Sequence, residues 1–165
     1  MTEGNYYYNI TNKRCFIKLV GHVHYSNSAG FEQFVADIIN KGIIDNILID
    51  LSETTGIDST NLGLVAKLAN YTISSHKKKI TLITANPDVT TILDSMGFFE
   101  VSVIVEELPN GNYELDEIDN ISQDQQDMTK MMLDAHKELI KVSEQNKDIF
   151  KNIVDMLQKE VDKNE

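Results

Sequence analysis

Apolar and polar positions alternate between two rhythms along this chain. Tyr6 to Ile10 and Cys15 to Gly21 are rich in aromatic and branched residues, joined by the polar Thr11-Asn12-Lys13-Arg14. That pattern predicts two strands and a tight connection. Phe31, Phe34, Val35, Ile38 and Ile39 then recur at helical spacing between Ser28 and Gly42. Asn46 to Leu51 is a nearly unbroken apolar run, which predicts a strand buried in a parallel sheet. Ser59 to His76 returns to the helical period, with Leu62, Val65, Ala66, Ala69 and Ile73 facing inward. Ile80 to Thr84 is a short strand. A helix opened by Pro87 carries Val89, Ile92, Leu93 and Met96 and stops at Gly97. Val101 to Val105 is the last strand. The alternation predicts an α/β fold with about five strands, mostly parallel, and helices on one face.

The rhythm changes after the turn cluster Leu108-Pro109-Asn110-Gly111-Asn112. Met128, Met132, Ala135, Leu139, Val142, Ile149, Ile153 and Met156 recur at steps of four and three, with Asn146 polar among them. This predicts one long amphipathic helix over 122–163, following a domain over 1–107 and a linker over 108–121. At 1.5 Å per residue the helix would be about 63 Å long. A domain of about 110 residues is only some 30–35 Å across. The helix must therefore break, project or pair. It either folds back on the sheet domain or joins the same helix of a second chain, a homodimer through Met132, Leu139, Val142, Ile149 and Ile153. The second arrangement is preferred here, because the stripe exceeds what the small domain covers.

Composition narrows the function classes. A net charge of −11 argues against binding to a phosphate backbone, so no nucleic acid is expected. Lys77-Lys78-Lys79 fits the C-terminal end of a helix, where cations oppose the dipole. The apolar runs are too short to span a bilayer, and no signal peptide is legible, so no direct membrane insertion is expected. The lone Cys15 fits a reducing compartment, and the expected location is cytoplasmic. His22 and His24 lack a third ligand nearby and read as strand-end residues, not zinc ligands. Met128, Met131 and Met132 read as adaptable packing. No Gly-rich phosphate loop, metal pair or catalytic triad is legible. The expectation is a protein that is not an enzyme, with no cofactor and no metal.

The segment that carries chemistry is Asn46 to Leu68, NILIDLSETTGIDSTNLGLVAKL. An apolar strand ends in Asp50-Leu51-Ser52, a polar loop follows, and Asp58-Ser59-Thr60 opens a helix. A hydroxyl there can cap the helix. It can also carry a phosphate, which free N–H groups and the helix dipole favour.

This segment resembles the signature of the STAS domain, the fold of the bacterial anti-sigma-factor antagonists. Their pattern is a strand ending Asp-Leu-Ser, a loop, then Asp-Ser-Ser/Thr-Gly-Leu-Gly. Here it reads Asp50-Leu51-Ser52, then Asp58-Ser59-Thr60-Asn61-Leu62-Gly63, with Asn61 in place of the usual Gly. The resemblance covers roughly Tyr6 to Glu107. It implies a STAS-like sheet and Ser59 as phosphoacceptor, with Asp58 orienting the hydroxyl and Thr60 as second choice. It also implies a partner switch. Unphosphorylated, the chain would bind a serine kinase or anti-sigma-type protein around Asp50, Ser52, Asn61, Leu62 and Gly63. Phosphorylated, it would release that partner, and a separate phosphatase would reset it. Asn61 and the acidic helical tail are most similar to STAS regulators of biofilm formation. The rival reading is a non-catalytic STAS subunit of a membrane transport complex, against which the long helix weighs.

Overall fold

The structure is a computed structural model and describes residues 3–108 and 113–164. Two aromatic and branched segments, β1 (Asn5–Thr11) and β2 (Arg14–Val23), form an antiparallel hairpin turned at Asn12, whose φ is 57°. α1 (Ala29–Lys41) ends at Gly42 in the left-handed conformation, which glycine adopts without a Cβ penalty. β3 (Asn46–Asp50) pairs parallel with β2. β4 (Thr54–Ile57) follows at once and pairs with the far end of β2, past a bulge at Gly21 and His22. Next come α2 (Ser59–His76), β5 (Ile80–Ile83), α3 (Pro87–Ser95), α4 (Phe98–Val101) and β6 (Ser102–Val105). β7 (Asp116–Glu117) adds to the outer edge of β1. α5 (Gln125–Val142) and α6 (Glu144–Lys163) complete the chain.

The sheet runs β6-β5-β3-β2-β1-β7, with β4 on β2. β1 pairs antiparallel with both neighbours, and the other pairings are parallel. Five of the seven strands among the described residues, and the mixed, mainly parallel order, match the sequence pattern. β4 lies in what read as a polar loop, and β7 in what read as a linker. Val101 belongs to α4, so β6 begins one residue later than the pattern predicts. The turn cluster after Leu108 lies largely outside the described residues.

One face of the sheet carries the core. Along β2, Cys15, Ile17, Leu19 and Val23 are fully buried and alternate with half-buried Lys18, Val20 and His22. The period of two places Ile47, Ile49, Ile80 and Leu82 of the neighbouring strands on the same side. Against them pack Phe31, Val35, Leu64, Val65, Leu68, Leu93 and Phe98 from the helices. Burial pushes the Cys15 thiol up to about 12, so it is a small apolar core residue and not a nucleophile. On the opposite face Phe16 stacks on Tyr113 at 4.2 Å between ring centroids.

The single helix expected over 122–163 is two helices. Ser143 leaves the helical region (φ −154°, ψ 154°) and caps α6 through its hydroxyl, which accepts from the Asn146 N–H. The corner rests on Gly97, where an added Cβ would meet Ser143 Cβ at 2.9 Å. Asn146 is fully buried at this corner and donates to the carbonyls of Met96 and Leu139, both at 2.8 Å. It is thus a bracket within one chain rather than a register device between two. The 18 and 20 residues of α5 and α6 make rods of about 27 and 30 Å, which fit the domain's width. The excess length that favoured a second chain is removed by the break.

The break also resets the helical phase. Leu139 and Val142 are buried in the main core, and Met132 packs beside Leu133, Leu157 and Val161. Ile149, Ile153 and Met156 do not continue that seam and face outward. The inward face of α6 is Asn146, Phe150, Val154, Leu157 and Val161. A stripe counted straight through Ser143 therefore selects the wrong face of α6.

Candidate functional site

The site sits at the start of α2, where β4 delivers the chain to the helix. Asp58 is extended (φ −84°, ψ 172°) and is the N-cap; its Oδ1 accepts from the Asn61 N–H at 2.9 Å. The same oxygen accepts from Asn61 Nδ2, and Oδ2 accepts from the Tyr25 N–H at 2.7 Å. Three donors hold this carboxylate, so it fixes the turn. The cap is Asp58, and Ser59 occupies the first helical position, with its hydroxyl unused by the helix itself.

Asn61 is buried at 0% exposure. Its side chain accepts from the Tyr6 hydroxyl and donates from Nδ2 to Ser28 Oγ at 2.9 Å. Ser28 Oγ donates in turn to the His24 carbonyl at 2.6 Å. Burial, the largest effect, raises the Tyr6 phenol well above its usual range. Its hydrogen bonds with Ser28 and Asn61 work against this, and the Asp58 charge adds to it. The phenol therefore stays a neutral donor. The Asn at the expected Gly position thus ties α2 to β1 and to the start of α1, and does not face a partner at the surface.

The outward face of α2 carries Ser59, Gly63, Lys67 and Asn70, at steps of four, four and three. All four meet α5. Ser59 Oγ lies 2.8 Å from His136 Nε2. A Cβ on Gly63 would stand 2.2 Å from the Ala135 carbonyl oxygen, so only glycine permits this approach. Lys67 pairs with Asp134 at 2.6 Å, and Asn70 donates to the Glu138 carboxylate at 2.8 Å. The Met132 carbonyl sits 2.6 Å from His136 Nδ1 and can only accept. That places the ring proton on Nδ1 and leaves Nε2 to accept from the Ser59 hydroxyl. The imidazole is 1% exposed and packs edge-on to Phe150.

The remaining expected site residues are spread by depth. Asp50 is buried and its carboxylate accepts from the Ser52 N–H at 2.9 Å, which turns the chain after β3. Ser52 and Ser59 are half-buried. Thr60 and Leu62 are each 2% exposed, so Thr60 offers no accessible hydroxyl. Sequence reasoning missed His136, which no local motif marks. Its one signal is its place four residues after Met132 and three before Leu139, on the inward face of α5. A hydroxyl and an imidazole 2.8 Å apart have the spacing of a nucleophile and its base, here with the imidazole buried. Among the described residues no group of three or more His, Cys, Asp or Glu is placed to hold a metal, and no helix is long and apolar enough to cross a membrane.

A mixed sheet covered by helices, with a half-buried hydroxyl opening the helix after β3 and β4, defines an α/β module. The STAS domain family model matches residues 7–110, and the chain belongs to that family. A search of the curated proteins returned no match. Among solved structures, the anti-sigma factor antagonist SpoIIAA in its unphosphorylated form superposes with a TM-score of 0.51 at 15% identity, over 61% of this chain and 86% of that one. The phosphorylated Bacillus SpoIIAA gives 0.51 at 16%, over 61% and 90%. A putative anti-sigma factor antagonist from Thermotoga maritima gives 0.53 at 24%, over 61% and 86%. These likenesses support the fold. The STAS match ends at residue 110, ahead of the α5–α6 hairpin.

Proposed function

We propose that this chain is a phosphorylation-controlled partner switch of the anti-sigma-factor-antagonist type, with Ser59 as the phosphoacceptor. The observation that carries the reading is the division of labour at the helix start. Asp58 supplies the cap, so the helix itself makes no use of the Ser59 hydroxyl, which stands at a helix end that favours an anion. The likeness to SpoIIAA, solved in phosphorylated and unphosphorylated forms, supports the same reading. Unphosphorylated, the protein binds a serine kinase or anti-sigma-type partner near Ser59 and the half-buried Ser52. A phosphate adds about −1.5 to −2 charge there and releases the partner. A separate phosphatase resets the switch. The protein itself performs no catalysis, works in the cytoplasm and serves in biofilm control.

Intact mass of the protein isolated from its host, with and without phosphatase treatment, tests this reading. The expected result is a single phosphatase-sensitive phosphate that maps to Ser59 and is lost in Ser59→Ala. Phosphate mapped to another residue, with Ser59→Ala still fully labelled, would overturn it.

A further inference from the structure

The hairpin of α5 and α6 has two properties that belong together. It holds a small apolar cluster of its own, Leu133, Leu157 and Val161, distinct from the main core. It also lays Ala135, Leu139, Val142 and Phe150 into that main core and sets His136 on Ser59. It is thus a unit with internal cohesion, docked on the face of α2 that carries the hydroxyl. The docking has no slack at that point. The imidazole is held from behind by the Met132 carbonyl and Phe150, and the Gly63–Ala135 approach allows no additional atom between the helices.

We infer that a phosphate on Ser59 and the docked hairpin exclude one another, so that the hairpin is the chain's own reader of Ser59. Esterification removes the hydroxyl proton that His136 Nε2 accepts. It also puts a phosphorus and three oxygens where the imidazole stands. The new charge falls beside Asp58 and near α5, whose facing residues include Asp134 and Glu138. Coupling is reciprocal: whatever holds the hairpin down disfavours phosphorylation, and phosphorylation favours its release. Release would uncover Gly63, Lys67 and Asn70 together with the inward face of α5. The switch would then change a surface much larger than one side chain.

The inference rests on Ser59 as the acceptor, so the test installs the phosphate directly and needs no kinase. The full chain is made with phosphoserine incorporated during translation at position 59. Amide hydrogen exchange is compared with that of the unmodified chain. The α5 amides of residues 131–142 should exchange about tenfold faster or more, the scale of losing a buried hydrogen bond, while those of β2, β3 and β5 keep their protection. Gly63→Leu, which drives Ala135 away without any phosphate, should give the same pattern. Equal protection of α5 in the phosphorylated and unmodified chains would overturn the inference, since the imidazole would then be holding the phosphate. Loss of protection across β2 and β3 as well would also overturn it, because the hairpin would not be separable from the sheet. If Ser59 proves unphosphorylated in the host, this assay still decides the exclusion on its own.

Discussion

The two sides of α2 differ in the polar groups they carry. The inner side, with Leu64, Val65, Leu68 and Ala69, joins the sheet through apolar contact, and Asn61 ties its first turn down through buried hydrogen bonds. The outer side meets the hairpin through a hydroxyl, a glycine, an ion pair and an amide, beside the apolar Ala135, Leu139 and Val142 of α5. Apolar burial has no chemical handle by which it can be reversed. A hydroxyl that hydrogen-bonds an imidazole can be esterified, and an ion pair with Asp134 nearly half exposed is worth only about 0–1 kcal/mol. The inner side therefore fixes the fold, and the outer side is where a modification can act.

The largest expected effects separate the two sides by where the damage spreads. Leu64→Ala and Leu139→Ala each remove a fully buried side chain, and each should cost about 2–5 kcal/mol. Urea unfolding should show a global loss for Leu64→Ala. Hydrogen exchange should place most of the Leu139→Ala loss in α5 and α6, and uniform loss through the sheet would erase the distinction.

Asn61→Gly restores the residue expected at this position of the signature. It should nevertheless destabilise by about 1–3 kcal/mol, because buried Tyr6 and Ser28 each lose one of their partners. Tyr6→Phe should fall in the same range. A denaturation midpoint unchanged in both would show the network to be dispensable.

The next contrast lies between adjacent residues. Asp58→Ala removes three accepted hydrogen bonds, the cap among them, and should cost more than the roughly 0.5–2 kcal/mol of a cap alone. Ser59→Ala should cost less, because the helix does not use its hydroxyl; the loss is confined to the bond with His136. Thermal melts of the two variants side by side would refute the assignment of the cap if their order were reversed.

The smallest effect tests the polar seam. Burial, the largest effect, raises the Glu32 carboxyl; Lys67 opposes the shift, and Asp134 and Asp127 add to it. A folded-state value above the unfolded one means that the ionised form weakens the fold at neutral pH. Stability from this group is gained as pH falls through the folded value and lost as pH rises through it. Glu32→Gln should therefore raise the melting temperature at pH 7, with the gain shrinking toward acid pH. A gain that grows at acid pH would contradict the sign.

Much of this was legible in the sequence, for physical reasons that differ by element. β2, β3 and α2 carry strong periodicity because one face of each meets the core. The strand–loop–helix order around Ser59 could be read because a helix start has local chemistry. β4 was hidden because Thr54-Thr55-Gly56-Ile57 has too few apolar residues for a pattern, and it forms only because β2 offers an open edge. The break at Ser143 was hidden because Ser is tolerated within a helix, and its extended backbone is set by the corner packed on Gly97. The Ser59–His136 contact spans 77 residues and depends on that corner, so no local motif could announce it. Asn61 read as a surface residue because its burial depends on Tyr6 and Ser28, which lie far from it in sequence.

The central claim is that the face of α2 carrying Ser59 is covered by the chain's own C-terminal hairpin. Zero-length carbodiimide coupling tests it most directly, because Lys67 Nζ and Asp134 Oδ2 are 2.6 Å apart. In dilute solution the account predicts a Lys67–Asp134 amide in the monomer fraction, found by peptide mapping and lost in Lys67→Arg. The same cross-link confined to a dimer fraction, or absent while Lys67 couples to carboxylates elsewhere, would contradict it.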